Sequence, residues 1–358
     1  MNDILTNIKK LISAPGLSGY EAPVRALVEE TWIDLTDDIQ VSKLGSLHAL
    51  KKGSAPEPRP CVLFATHMDA VGLMVTNIED GFLKVTEIGG LDPRVLPSQL
   101  VTVHGSKNDD TMGELPGVIV QPPRHLLPDD IGTGVVPLEY LFVDTGLTQQ
   151  EVSQKVRVGD LVSFSQEPVQ LGENVIAGHT LDNRASVAAL TYCLKELKSR
   201  KHSWDVWAVA TVQEEETMGG ALTSAFEIKP DLAVAIDVTF AKGPGTPDHE
   251  SYPMGQGFTL GWGPNVHPML HKSFKELADR LELPYQVEPL PRHSGTDAYA
   301  LQIARKGIAT MVISIPLRYM HTPVEIVSIK DISRVGRLLA EFSSSLSPNF
   351  LDNLKHDL

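Results

Sequence analysis

Hydrophobic and polar positions divide the chain into three textures. Residues 3–13 and 20–35 carry apolar residues at helical spacing, with Val24, Leu27, Val28 and Leu35 on one face of the second segment. The Pro-rich stretch from Ser54 to Pro60 predicts a surface loop. Cys61-Val62-Leu63-Phe64-Ala65 is then a continuous apolar run, the pattern of a strand covered on both faces. From about 72 to 165, short β-like runs follow one another: Phe82 to Ile88, Leu100 to Val103, Gly117 to Val120, Tyr140 to Val143 and Leu161 to Phe164. Gly, Pro and Asp punctuate them, and a short helical pattern occurs near 147–156. This texture predicts a small, barrel-like all-β domain.

Beyond it, helices and strands alternate. Val187, Leu190, Leu194 and Leu197 mark a helix, Val206 to Val212 and Leu232 to Ile236 are strands, and Leu270 to Leu281 is a helix. Met311 to Ile315 is a strand, and Ile329, Ile332, Val335, Leu339 and Phe342 mark a last helix. The expected fold class is therefore α/β, a three-layer domain on a mixed sheet with helices on both faces. Residues 1–71 and 166–358 form it, and residues 72–165 interrupt it as the β-rich insertion.

Composition narrows the function. The chain has 358 residues, 42% hydrophobic and 21% charged, enough for a large core. Its formal net charge of −14 argues against nucleic-acid binding through a basic face. Two cysteines, Cys61 and Cys193, both in apolar segments, offer neither a disulfide framework nor a cysteine-rich zinc site. The N-terminus lacks a signal-peptide pattern and no run of about 18 apolar residues exists, so a cytoplasmic protein is expected, with no membrane partner.

In an open α/β sheet, chemistry gathers at the carboxyl ends of strands. The run 61–65 ends in Thr66-His67-Met68-Asp69, the run 206–212 leads to Glu214-Glu215, the run 232–236 to Asp237, and the run 311–315 to His321. Asp182 stands at the mouth of the helix that begins near Asn183. Taken singly, each has an ordinary explanation: a chance His-x-Asp, a helix cap at Asp182, a turn at Asp237, a surface histidine at His321. Those explanations do not account for all of them gathering at one end of one predicted sheet. Two histidines and several carboxylates, without a thiolate, suit Zn²⁺, Co²⁺ or Mn²⁺. Two ions fit better than one, since a carboxylate can bridge a pair ~3.5–4 Å apart and a water between them would ionise near pH ~7. A carboxylate outside the ligand set could take the water's proton and return it to a leaving amine. Asp69 is placed to hydrogen-bond the far nitrogen of His67.

In these residues and the motifs around them, the chain resembles the M42 family of metallo-aminopeptidases. The resemblance runs through Ala65 to Gly72, Leu181-Asp182-Asn183-Arg184-Ala185, Gln213-Glu214-Glu215, Ala235 to Thr239, Ser294 to Ala298 and Pro316 to Glu325, in order over nearly the whole chain. It implies that His67, Asp182 and Asp237 hold one metal and that Asp182, Glu215 and His321 hold the other. It implies Glu214 as general base, Asp69 as the residue orienting His67, and two divalent ions, Zn²⁺ or Co²⁺ foremost. It also implies that the inserted β-barrel-like domain serves dimerisation, that dimers assemble into dodecamers, and that the substrates are short peptides trimmed from the N-terminus by attack of hydroxide formed between the metals.

Some positions depart from the family pattern. Asn183 replaces a frequent Asp, and Glu216-Thr217-Met218-Gly219-Gly220 replaces Val-Gly-Leu-Arg-Gly. An acid at 216 would favour a cationic substrate end or simply be a solvated loop residue. His293, Arg292 and the Ser294–Asp297 turn are candidates to line the pocket, as is the loop 240–257. The same ligand set would also serve a di-metal amidohydrolase, deacylase or carboxypeptidase acting on N-acyl amino acids. A non-catalytic assembly protein would require a damaged site, and no expected ligand is missing.

Overall fold

A computed structural model describes residues 2–105, 113–129, 131 and 134–354. In chain order, the helices α1 (Asn2–Ser13) and α2 (Ala22–Trp32) precede the strands β1 (Asp38–Val41), β2 (Leu47–Lys51) and β3 (Cys61–His67). Then come β4 (Gly72–Glu79), β5 (Phe82–Ile88), β6 (Leu100–Gly105), β7 (Gly113–Val120), β8 (Phe142–Asp144), α3 (Gln149–Lys155) and β9 (Leu161–Phe164). The chain continues through β10 (Val169–Leu171), β11 (Val175–Gly178), α4 (Leu181–Leu197), β12 (Asp205–Thr211), α5 (Gly219–Ile228), β13 (Leu232–Phe240) and β14 (Phe258–Trp262). It closes with α6 (Pro268–Arg280), β15 (Tyr285–Pro289), α7 (Asp297–Ile303), β16 (Ala309–Arg318), β17 (Glu325–Ser328) and α8 (Ile329–Ser345).

Two compact units result. The first comprises residues 1–69, 168–320 and 325–358, and the second residues 70–167 with the short segment His321–Val324. The expected fold class is what the structure has: a large mixed α/β sheet and a small closed barrel.

The first unit is built on an 11-stranded sheet with the path β1-β2-β12-β3-β13-β16-β17-β11-β10, and β14 and β15 attached through β16. Its centre is parallel: β12 pairs with β3, β3 with β13, and β13 with β16, all in one direction. Parallel strands covered on both faces are apolar nearly throughout, and β3 and β13 are buried along almost their whole length. Register then decides which side chains share an edge. Thr211 lies opposite His67, and Ala235 lies opposite Ala65. Two residues further along β13, Asp237 thus arrives level with His67. α4 packs on β3 and β13 and against α8, while α5 packs against α7.

The second unit is a barrel closed in the order β4-β5-β8-β7-β6-β9, antiparallel throughout. Closure leaves no free sheet edge. Leu73, Val75, Leu83, Val101, Val103, Ile119, Val143 and Val162 fill its own core. Among the described residues, no helix is long and apolar enough to cross a membrane.

The helix pair α4–α8 anchors the element that carries Asp182. At the crossing, a Cβ added to Gly336 would meet the Ala189 carbonyl oxygen at 2.4 Å and Tyr192 Cδ1 at 2.8 Å. Gly336→Ala is therefore expected to lower stability by about 1–3 kcal/mol through overpacking, although alanine is the better helix former. A fall in the urea midpoint is the expected reading, and an unchanged or higher midpoint contradicts so close a crossing.

Candidate active site

Three elements bring three ligand atoms together. His67 ends β3, Asp182 opens α4 and Asp237 lies on β13. His67 Nε2 stands 3.2 Å from Asp182 Oδ1 and 3.7 Å from Asp237 Oδ1. One ligand atom from each residue lies within 4.8 Å of the others, and all three residues are buried. Donors bound to one tetrahedral ion at ~2.0–2.1 Å are themselves about 3.3–3.5 Å apart, so the observed spacings suit a shared cation. Asp182 also offers an oxygen within 4.8 Å of an oxygen of Glu215. His321 belongs to the segment 321–324 that clusters with the second unit.

The imidazole is oriented for this task. His67 Nδ1 lies 3.3 Å from the carbonyl oxygen of Asp69, which can only accept, so Nδ1 carries the proton and donates. Nε2 is left to face Asp182 and Asp237, the usual tautomer of a metal-ligating histidine held by a backbone carbonyl. The Asp69 carboxylate is 3.5 Å from the same nitrogen, but its hydrogen bonds go elsewhere. Oδ1 accepts from the Glu214 amide at 3.0 Å and Oδ2 from the Glu215 amide at 3.2 Å. One buried side chain thus links the end of β3 to the Glu-Glu pair beyond β12.

The Glu-Glu pair needs that support. Gln213 adopts a left-handed φ of 58°, a conformation that costs a non-glycine residue about 1–2 kcal/mol. The twist breaks the strand's alternation, the bend expected of two adjacent acids that serve one cleft. Glu21, just before α2, supplies a second tether: its Oε1 accepts from the Gly19 amide at 2.6 Å and from the Gln213 amide at 3.1 Å. Glu214 Oε2 then lies 3.8 Å from His67 Nε2, with the side chain 9% exposed.

The start of α4 is shaped likewise. Asp182 and Asn183 have non-helical backbone angles, and the peptide between them is cis. The Asp182 amide donates to Glu325 Oε2 at 3.0 Å, and Asn183 Nδ2 donates to the Ile236 carbonyl at 2.9 Å. Arg184 is fully buried and donates to the carbonyls of Met68, Leu11, Ala14 and Gly16, which ties the end of α1 to the residue after His67. Burial pulls its pKa down to about 9, while Asp69 and Glu325 push it up.

Electrostatics state the same requirement. Burial opposes charge on His67, yet Glu214, Asp182, Asp237 and Asp69 outweigh it and hold the pKa well above the usual imidazole range. Burial raises the Glu214 pKa well above the carboxylate range, and Asp237, Asp297 and Glu215 add to this against the pull of His67. Burial also raises Asp237. It pushes Asp297 up to about 7, opposed by His67 and by a hydrogen bond from Thr211, and assisted by Asp237 and Asp69. Buried carboxylates that crowd one another bind protons unless a cation replaces them. This oxygen and nitrogen donor set fits hard to borderline divalent ions.

A family model described as M42 glutamyl aminopeptidase matches residues 45–338. The chain belongs to the M42 family. It is therefore a peptide hydrolase of aminopeptidase type, in a family that implies divalent metal ions. It is 38% identical over 347 residues to the lysyl aminopeptidase of Pyrococcus furiosus, covering 95% of this chain and 97% of that one. Among solved structures it is similar to an aminopeptidase of the archaeon Desulfurococcus kamchatkensis, with a TM-score of 0.91, 34% identity and coverage of 99% and 98%. The TET1 peptidase of Pyrococcus horikoshii, which can assemble into a tetrahedron or a large octahedral shell, aligns with a TM-score of 0.82 and 28% identity over 96% of this chain and 100% of its own.

Sequence reasoning missed Glu21, Arg184 as a carbonyl clamp, Glu325 as a partner of Asp182, and Asp297 as a buried acid facing the cluster. Only Glu21 carried a local signal, an acid immediately before a Pro-containing helix start. Glu21→Ala is expected to lower kcat about tenfold with a smaller change in KM, since it frees the Gln213 bend that aims Glu214. Glu21→Gln keeps an oxygen acceptor and should retain most of the rate. Equal losses in both variants, or an effect confined to KM, would contradict the tether.

Proposed function

We propose that this aminopeptidase is a co-catalytic di-metal enzyme that removes N-terminal residues from short peptides. The observation that carries the reading is the convergence of His67, Asp182 and Asp237, with the Asp182–Glu215 pair beside them and Glu214 held next to His67. His67, Asp182 and Asp237 would hold one ion. Asp182, as the bridge, would hold the second with Glu215 and His321. Two divalent ions, Zn²⁺ or Co²⁺ foremost and Mn²⁺ as a further candidate, would supply Lewis-acid polarisation of the peptide carbonyl and ease ionisation of water at neutral pH.

The chain's own residues do the remaining work. Glu214 accepts the proton of the attacking water on its carboxylate and returns it to the departing amine nitrogen. Asp69 keeps His67 in the required tautomer through its carbonyl, and through its carboxylate fixes the backbone of Glu214 and Glu215. Burial of this constellation keeps bulk water from screening it. The second unit serves dimerisation, and the shells formed by the Pyrococcus horikoshii relative support assembly of dimers into a closed dodecamer. A shell of that kind would admit short peptides and exclude folded proteins, as a cytoplasmic exopeptidase requires.

Glu214→Gln tests the proton role. Metal content should stay near the wild-type value while turnover falls by about 10²–10⁴; retained turnover removes Glu214 from that role. Chelation should abolish hydrolysis of free-amine aminoacyl anilides, and Co²⁺, Zn²⁺ or Mn²⁺ should restore it. Preferential cleavage of N-acyl amino acids over aminoacyl anilides would instead identify a deacylase.

A further inference from the structure

β13 carries Asp237 on a part of the strand that the sheet supports from one side. Its ladder to β3 ends where Ala235 faces Ala65, while its ladder to β16 runs on to Phe240 opposite Leu317. On the β3 side, α4 stands in: Asn183 Nδ2 donates to the Ile236 carbonyl, and Ser186 Oγ donates to the Asp237 carbonyl at 3.2 Å. The Asp237 carboxylate itself accepts from the adjacent Val238 amide at 2.8 Å, so its aim follows the backbone of this overhang. An acid on β15 grips the same stretch. Register sets Asp237, Ser314 and Thr259 in one row on one face of the sheet, and Thr239, two residues beyond Asp237, shares that face. Glu288 Oε1 accepts from Thr239 Oγ1 at 2.6 Å, and Oε2 accepts from Thr259 Oγ1 at 2.5 Å. Burial raises the Glu288 pKa, hydrogen bonds from the Thr239, Thr259 and Ser314 hydroxyls lower it, and Asp237 raises it from nearby. Glu288 takes no part in the proposed hydrolysis, and β14 and β15 lie off the main path of the sheet.

We propose that Glu288 is a positioning residue: through Thr239 it holds the overhanging end of β13, and with it the Asp237 carboxylate, where it can share a cation with His67. The inference rests on the di-metal reading and adds a residue to it. A carboxylate that accepts from two hydroxyls fixes both donors, and here the donors belong to different strands, β13 and β14. Glu288 thereby joins the overhang to the branch β14–β15 and, with α4, makes up for the support that β3 no longer gives. Partners that stand behind a ligand tune metal affinity without touching the ion. The ion assigned to Asp182, Glu215 and His321 does not use Asp237, so the two ions should respond differently to loss of this grip.

The test titrates metal-free protein with Zn²⁺ by calorimetry and resolves the two binding events. Thr239→Val keeps the shape and removes the hydroxyl, while Glu288→Ala removes the acceptor. Both should weaken one event about tenfold, the scale of a partner behind a metal ligand, and leave the other unchanged. The weakened event should be the one that Asp237→Asn weakens, and Thr239→Val should cost little more in the Asp237→Asn background. Glu288→Gln keeps an oxygen acceptor and should retain most of the affinity. Equal loss in both events, no loss in Thr239→Val, or a Glu288→Gln variant as weak as Glu288→Ala overturns the proposal. If the wild-type protein binds no Zn²⁺, the di-metal reading fails instead, and amide hydrogen exchange decides the tether by itself. Faster exchange over residues 236–240 in Thr239→Val, with residues 232–235 unchanged, supports it, and equal exchange overturns it.

Discussion

Carboxylates buried side by side repel one another, and that repulsion is the constraint around which this molecule is organised. Asp182, Asp237 and Glu214 crowd His67 in a region largely closed to water. Unpaired charge of this kind is costly in a protein interior. The chain keeps the acids together through backbone tethers from further buried acids. Asp69 holds two amides at the Glu-Glu pair, Glu21 holds the bend before it, and Glu325 holds the amide of Asp182. Each tether joins segments more than 140 residues apart in sequence. Such an arrangement is consistent with a place reserved for cations, because a purely structural core would be served better by apolar residues.

The sheet turns these long-range tethers into a fixed geometry. Four parallel strands deliver their carboxyl ends to one edge, and register alone places Asp237 level with His67. Arg184 then locks α1 to the backbone at Met68 through carbonyl acceptors instead of a carboxylate. Its charge can therefore support Asp69 and Glu325 from nearby without taking a place among the ligand atoms.

Much of this was legible in the sequence, for physical reasons. β3 and β13 are covered on both faces and so read as unbroken apolar runs, the long helices α6 and α8 bury one face and so show a clear period, and α4, buried nearly all round over its first eleven residues, still shows through Val187, Leu190, Leu194 and Leu197. The short barrel strands show through their Gly, Pro and Asp punctuation. Other elements gave little signal. α5 opens with Gly219-Gly220, and α7 spans seven residues, too few to establish a period. β14 and β15 sit off the main path, and β10 is exposed throughout. The candidate ligands were visible because strand ends are where chemistry collects. Glu325 was not, because it acts on a distant backbone amide that no local pattern reveals, and Glu21 showed only as an acid before a Pro-containing helix start, with nothing local to point to the Gln213 amide.

Membership in the family fixes the class of reaction, while the loop after Glu215 is where this chain departs from the family pattern. The catalytic edge depends on residues at strand ends, which tolerate little movement. The pocket beside Glu214 and Glu215 is lined from that loop and from α7, where sequence can change without disturbing the sheet. Glu216 and Met218 stand in that loop, which can therefore change while the buried acids stay in place.

Calorimetric titration of the metal-free protein with Zn²⁺ or Co²⁺, with the released protons counted in buffers of different ionisation enthalpy, measures the central claim most directly. Two ions per chain should bind, with proton release as the crowded acids and His67 exchange protons for cations. Asp182→Asn, which alters the carboxylate proposed to be common to both ions, should weaken both sites together. Binding of no ions, or two sites that are indifferent to Asp182→Asn, would contradict the account.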